Sequence, residues 1–100
     1  MLDRFDGFDW DDGNLKKCLK HGVSLDEIEY VLAGKPVVAP DLGHSGAEDR
    51  FIAVGRNSLG RPMFIAYTYR LFGELVLARP ISARYMHKVE AERYEKSTNL

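Results

Sequence analysis

Between residues 50 and 88 the chain carries seven cations, Arg50, Arg56, Arg61, Arg70, Arg79, Arg84 and Lys88, against one acid, Glu74. Six of the seven are arginine, whose planar fork suits bidentate contacts with phosphate. A charge run of this kind is commonly a solvated face; the functional alternative is an anion-binding face, with nucleic acid as the ligand. The side chains able to carry a proton are Glu48, His21, His44, His87, Tyr67 and Tyr69. Together these groups fit metal-free RNA cleavage, in which the ribose 2′-OH attacks its neighbouring phosphate. That chemistry needs a proton acceptor, a proton donor and cations facing the phosphorane. Lys20, Arg50, Arg70, Arg79 and Arg84 are the candidate charge stabilisers. Each residue also has a structural reading: Glu48 can pair with a lysine, strand tyrosines pack, and His21 favours the end of a helix.

Other chemistries find less support. Cys18 and His21 have the helical spacing of two metal ligands, but no second local pair accompanies them, so a structural zinc site is not expected. Cys18 is the single cysteine, which excludes an intramolecular disulfide and fits a small core residue. Neither the P-loop and dinucleotide glycine patterns nor Gly-x-Ser-x-Gly occurs. No cofactor is expected. The longest apolar run, 63–67, is far too short to span a bilayer, so no membrane partner is expected. The first residues lack a cationic start followed by an apolar stretch, and with a single cysteine the expected setting is cytoplasmic and reducing. At 100 residues, 45% hydrophobic and 29% charged, the chain suits one folded domain. Its charge is polar along its length: residues 1–49 hold five Lys/Arg against eleven Asp/Glu, and residues 50–100 hold nine against four.

The elements that must position these groups follow from local signals. A short first strand is expected within 5–9. Asp9, Asp11 or Asp12 can cap a helix carrying Leu15, Cys18 and Leu19 on one face, with Gly22 as its left-handed stop. Ser24 and Glu27 form a capping box, and Val23 and Ile28 have hydrophobic-staple spacing. Leu25, Ile28, Val31 and Leu32 then make the buried stripe of a second helix ending at Gly34. Strands are expected over 37–39, 50–56, 62–70 and 74–81, with turns at 57–60 and 71–73. Short connections make these neighbours antiparallel. Pro80 marks an edge or a bulge. Ser82 is expected to cap a last helix over 83–96, with Met86 and Val89 inside. Strands grouped between helices give α+β. Both faces of the 62–70 strand are apolar, so helices or a partner should cover each.

Several segments resemble the BrnT family of toxins from bacterial type II toxin–antitoxin modules. Phe8-Asp9-Trp10-Asp11, Asn14 and Lys20-His21-Gly22-Val23-Ser24 resemble the family's opening signature. Asp41, His44, Ser45, Glu48 and Arg50 resemble its loop-to-strand motif. Gly55-Arg56, Gly60-Arg61, Thr68-Tyr69-Arg70, Ile81-Ser82-Ala83-Arg84 and Glu92-Arg93-Tyr94-Glu95 follow in order. Tyr85 stands where a second basic residue often follows the arginine of the Ser-Ala-Arg motif. The resemblance implies a RelE-like α+β fold: a small antiparallel sheet flanked by two N-terminal helices and one C-terminal helix. It implies a metal-independent endoribonuclease that cleaves RNA and inhibits translation. It further implies a BrnA-type ribbon-helix-helix antitoxin, which would neutralise the toxin and connect it indirectly to operator DNA. The expected active group is Lys20, Glu48, Arg50, Arg70 and Arg84, with His21 and His44 behind them, and Arg70 and Arg84 are expected to touch one scissile phosphate. The alternative is a degenerate, non-catalytic module whose basic face binds an antitoxin or RNA.

Overall fold

The computed structural model describes residues 5–41, 43 and 49–98. Along the chain the elements are β1 (Gly7–Phe8), α1 (Asp12–Leu19), α2 (Leu25–Ala33), β2 (Val37–Pro40), β3 (Phe51–Arg56), β4 (Pro62–Phe72), β5 (Leu75–Tyr85) and α3 (Lys88–Thr98). The strands form one sheet in the order β1-β5-β4-β3-β2. The α+β class holds, but the sheet is mixed rather than wholly antiparallel. β2 through β5 run antiparallel, whereas β1 pairs parallel to β5. Parallel pairing is open to β1 because most of the chain lies between it and β5, ample length for a crossover.

The helical corner is built by its caps. Asp11 is the residue that caps α1: its Oδ1 accepts from the Gly13 and Asn14 N–H groups, and Asn14 Oδ1 accepts from the Asp11 N–H at 2.8 Å. Gly22 takes the left-handed turn at φ 85°, a conformation costly for any residue with a Cβ. Ser24 Oγ then accepts from the Glu27 N–H at 3.1 Å and Glu27 Oε1 from the Ser24 N–H at 2.9 Å, closing the expected capping box. Val23 and Ile28 are both buried, as a staple requires. On α1 Cys18 is buried but Leu19 is exposed, and Asn14 holds a buried place instead.

The sheet is covered on both faces. Ala53, Met63, Ile65 and Tyr67 pack against Cys18, Ile28, Val31 and Leu32 of α1 and α2. The opposite face brings Val54 against Met86 and Ala91, with Ile52, Phe64 and Tyr94 around them. A Cβ on Gly55 would lie 2.9 Å from Val31 Cγ1, so glycine lets α2 approach β3 closely. β5 continues past Ile81: Ser82, Ala83 and Arg84 pair with Ala66, Ile65 and Phe64. Ser82 therefore caps no helix, because the open ladder of β4 outweighs its local preference for a cap. The last helix starts at Lys88, and Val89 is 64% exposed rather than inside. Pro80 sits at a bulge, as expected: Ala66 faces Ser82, Tyr67 faces Pro80, and Ile81 is the extra residue.

Candidate functional site

Arg50 leads into β3, Arg70 lies toward the far end of β4, and Arg79 pairs with Thr68 across the β4–β5 ladder. Phe51 pairs with Tyr67, so alternation puts Arg50, Arg70 and Arg79 on the same side of the sheet. All three line one cavity of about 180 Å³ together with the bulge residue Ile81. The wall opposite comes from α1, whose Gly13, Asn14 and Lys17 share a stripe at helical spacing.

Two acids fix one of these cations. Arg79 Nη1 lies 3.1 Å from Asp9 Oδ2 and 3.0 Å from Asp11 Oδ2, and its Nη2 donates to Asp11 Oδ1 at 3.1 Å. The Arg79 hydrogen bond holds the Asp11 carboxyl below its usual value, and the same bond raises the guanidinium of Arg79. Buried Asn14 locks the geometry from behind. Its Nδ2 donates to the Pro80 carbonyl at 2.8 Å and to the Asp9 carbonyl at 2.9 Å, tying α1 to β5 and to the residue that follows β1. Four cations thus line the cavity, and Asp9 and Asp11 both bind Arg79. Lys17, Arg50, Arg70 and Arg79 give the cavity a cationic lining of the kind that can receive an anion.

Over residues 10–90 the chain matches the family model described as the ribonuclease toxin, BrnT, of type II toxin–antitoxin systems. The chain belongs to the BrnT family. A search of the curated proteins gives no match. The matched stretch contains α1, the sheet from β2 to β5 and every lining residue of the arginine cavity. BrnT toxins are ribonucleases of two-component modules, so an RNA target and an antitoxin partner come with membership. Among the described residues no helix is long and apolar enough to cross a membrane, and no group of His, Cys, Asp and Glu side chains is arranged to hold a metal ion.

The BrnT site residues expected from sequence divide between places. Arg50 and Arg70 meet at the cavity. Arg84 does not join them: it faces Phe64, and Arg70 lies six positions further along β4, roughly 20 Å away at 3.3 Å per residue. One phosphate cannot touch both, which corrects the expectation of a shared scissile phosphate. Arg84 instead makes a two-pronged bond to Glu90 at 3.0 and 3.2 Å, stacks 4.6 Å over the Phe64 ring, and fastens α3 to the sheet. Its hydrogen bond holds the Glu90 carboxyl low. Lys20 caps the C-terminal end of α1 and His21 follows it, both exposed and neither among the lining residues. Lys17, one turn earlier, is the lysine of the cavity. Tyr67 is fully buried in the core and out of reach of a substrate. Burial pushes the Cys18 thiol up to about 11, so it stays protonated and inert at neutral pH. Glu48 and His44 lie outside the described residues. Lys17 and the role of Arg79 were missed from sequence; the Gly13-Asn14-Lys17 stripe was the available signal for the lysine.

Proposed function

We propose that the chain is an endoribonuclease toxin that cuts RNA at the arginine cavity, inhibits translation, and is neutralised by a BrnA-type ribbon-helix-helix antitoxin. The observation that carries this reading is the convergence of Lys17, Arg50 and Arg70 on one cavity in a chain of a ribonuclease family. In the proposed reaction the 2′-oxygen forms a bond to phosphorus as the bond to the 5′-oxygen breaks. Glu48, two residues before Arg50 in the chain, takes the 2′-OH proton, and His44 returns one to the departing 5′-oxygen. Arg50 and Arg70 face the charge that builds on the phosphorane, and Arg79, held by Asp9 and Asp11, sets the wall against which they stand. The products are a 2′,3′-cyclic phosphate and a 5′-hydroxyl, and no step calls for a metal ion. Operator DNA is reached only through the antitoxin.

The test is cleavage of a labelled RNA under single-turnover conditions in the presence of EDTA, with end-group analysis of the products. Cutting should persist in EDTA and leave cyclic phosphate ends. Induction without the antitoxin should arrest growth and degrade RNA, and co-expression of the antitoxin should restore growth. A folded protein that binds RNA without cutting it would be a binding module instead, and the catalytic reading would fall.

A further inference from the structure

Three of the large apolar side chains left exposed lie within five positions at the β4–β5 turn: Leu71 at 79%, Phe72 at 72% and Leu75 at 48%. The turn itself needs Gly73 at φ 62°, so the two strands stay paired to their ends and hold these residues rigidly. Phe72 pairs with Leu75, and Arg70 pairs with Leu77 on the same ladder. Alternation therefore puts Phe72 and Leu75 on the side that carries Arg70, and Leu71 on the other. α3 covers this face only at its opposite end, around Val54 and Phe64. The exposed ring thus lies next to the cavity along the strand, roughly 7 Å from Arg70 at 3.3–3.4 Å per residue. That spacing is comparable to one nucleotide step of an extended single strand.

We infer that Phe72, flanked by Leu75, is a nucleobase-stacking subsite for the nucleotide adjoining the phosphate held at Arg50 and Arg70. The inference rests on the ribonuclease reading above and names the part of the RNA that this face takes. An aromatic ring beside a cationic groove is how single-stranded RNA is gripped without reading sequence, since every base has a π-face. Leu75, its cross-strand neighbour on the same face, adds apolar area beside the ring. The subsite selects unpaired RNA, because a base inside a duplex cannot splay onto the ring.

The experiment compares the parent with Phe72→Leu and Phe72→Trp. The probe for binding is a 2′-O-methyl oligoribonucleotide, which lacks the attacking hydroxyl and cannot be cut; the probe for turnover is the matching RNA. Phe72→Leu should weaken binding and lower kcat/KM by about tenfold or more, with the saturated rate little changed. Phe72→Trp should stay near the parent, and its new indole fluorescence should be quenched as the oligonucleotide binds. Position 72 is exposed, so both variants should melt like the parent. If the parent cuts RNA and Phe72→Leu binds and cuts equally well, the subsite is overturned while the ribonuclease reading stands. If Phe72→Leu cuts normally but escapes neutralisation by the antitoxin, the ring belongs to the antitoxin interface and the subsite is again overturned. If the parent neither binds nor cuts RNA, the ribonuclease reading fails and takes the subsite with it.

Discussion

The two ends of the sheet treat the same kind of residue in opposite ways. At the β3–β4 turn three arginines fasten neighbouring elements together. Arg84 is forked onto Glu90, Arg56 reaches Glu95 at 3.5 Å, and Arg61 lies 3.5 Å over the Tyr85 ring. Glu27 anchors this end, accepting from Asn57 Nδ2 at 2.7 Å and from the Tyr85 hydroxyl at 2.9 Å while closing the α2 cap. At the other end Arg50, Arg70, Arg79 and Lys17 gather around one cavity, with Asp9 and Asp11 both bound to Arg79. A run of arginines in sequence is thus not one surface. The pairs at one end fasten helices, and the cluster at the other concentrates charge. Cations gathered round one cavity raise the local potential felt by an anion. That is the behaviour expected of a binding site.

The sharpest way to break this contrast is to remove an arginine from each end. Arg50→Ala or Arg70→Ala should lower the single-turnover cleavage rate by about a hundredfold or more, as loss of a group facing transition-state charge does. Arg84→Ala should leave the rate within about threefold of the parent and instead lower the melting temperature by loosening α3. Lysine should rescue position 50 or 70 poorly, because it supplies charge without the fork. If Arg84→Ala abolishes cleavage in a protein that melts normally, the assignment of the two ends is reversed.

That contrast was only partly legible in the sequence. Caps are local, so Ser24 and Glu27 announced α2 within four residues, and Asp11 stood among three candidates for α1. The partners of Arg79 are not local: Asp9 and Asp11 lie at sequence separations of 70 and 68. The extension of β5 through Ser82 and Arg84 likewise depends on the length of β4, which a local reading cannot weigh. A local reading puts Arg84 at a helix start for that reason, whereas the register sets it six positions from Arg70 along β4. Lys20 was preferred to Lys17 on motif resemblance, although the helical stripe through Gly13 and Asn14 favours Lys17. Glu48 and His44 lie outside the described residues, so their part in the site rests on sequence.

Stability should follow the opposite end. Burial raises the Glu27 carboxyl, but hydrogen bonds from the Ser24 backbone, Asn57, Tyr85 and the Ser24 hydroxyl outweigh it and leave the group lowered. A carboxyl lowered in the folded state stabilises the protein above its unfolded value near 4.5, and that contribution is lost as pH falls through the folded value. Glu27→Ala should cost about 2 kcal/mol at pH 7, since it leaves several part-buried donors without an acceptor. Its melting temperature should depend less on pH below 4.5 than the parent's does. Equal acid sensitivity in both proteins would remove Glu27 as the anchor.

Salt sharpens the contrast on the binding side. RNA affinity should fall with a log–log slope of roughly −0.7 per phosphate contacted on a single strand. Arg70→Ala should make the slope shallower by about one such step, whereas Arg84→Ala should leave it unchanged. Identical slopes for parent and Arg70→Ala would take Arg70 off the phosphate.

The smallest effect is expected at Ser24, and it separates a cap from an anchor. Ser24→Ala deletes the oxygen that accepts from the Glu27 N–H at 3.1 Å, one of the unpaired donors at the start of α2. The Glu27 carboxylate keeps its bonds to Asn57, Tyr85 and the Ser24 N–H, because none of these uses the serine side chain, and loses only the smallest contribution, that of the Ser24 hydroxyl. The loss should therefore be mainly that of a cap, about 1 kcal/mol, read as a shift in chemical or thermal unfolding. Cleavage should not change, since Ser24 sits at the corner between α1 and α2 and does not line the cavity. A cost as large as that of Glu27→Ala would mean that the cap and the anchor are one cooperative unit. A loss of cleavage in a protein that melts like the parent would place the helical corner, rather than the arginine cavity alone, in the active site.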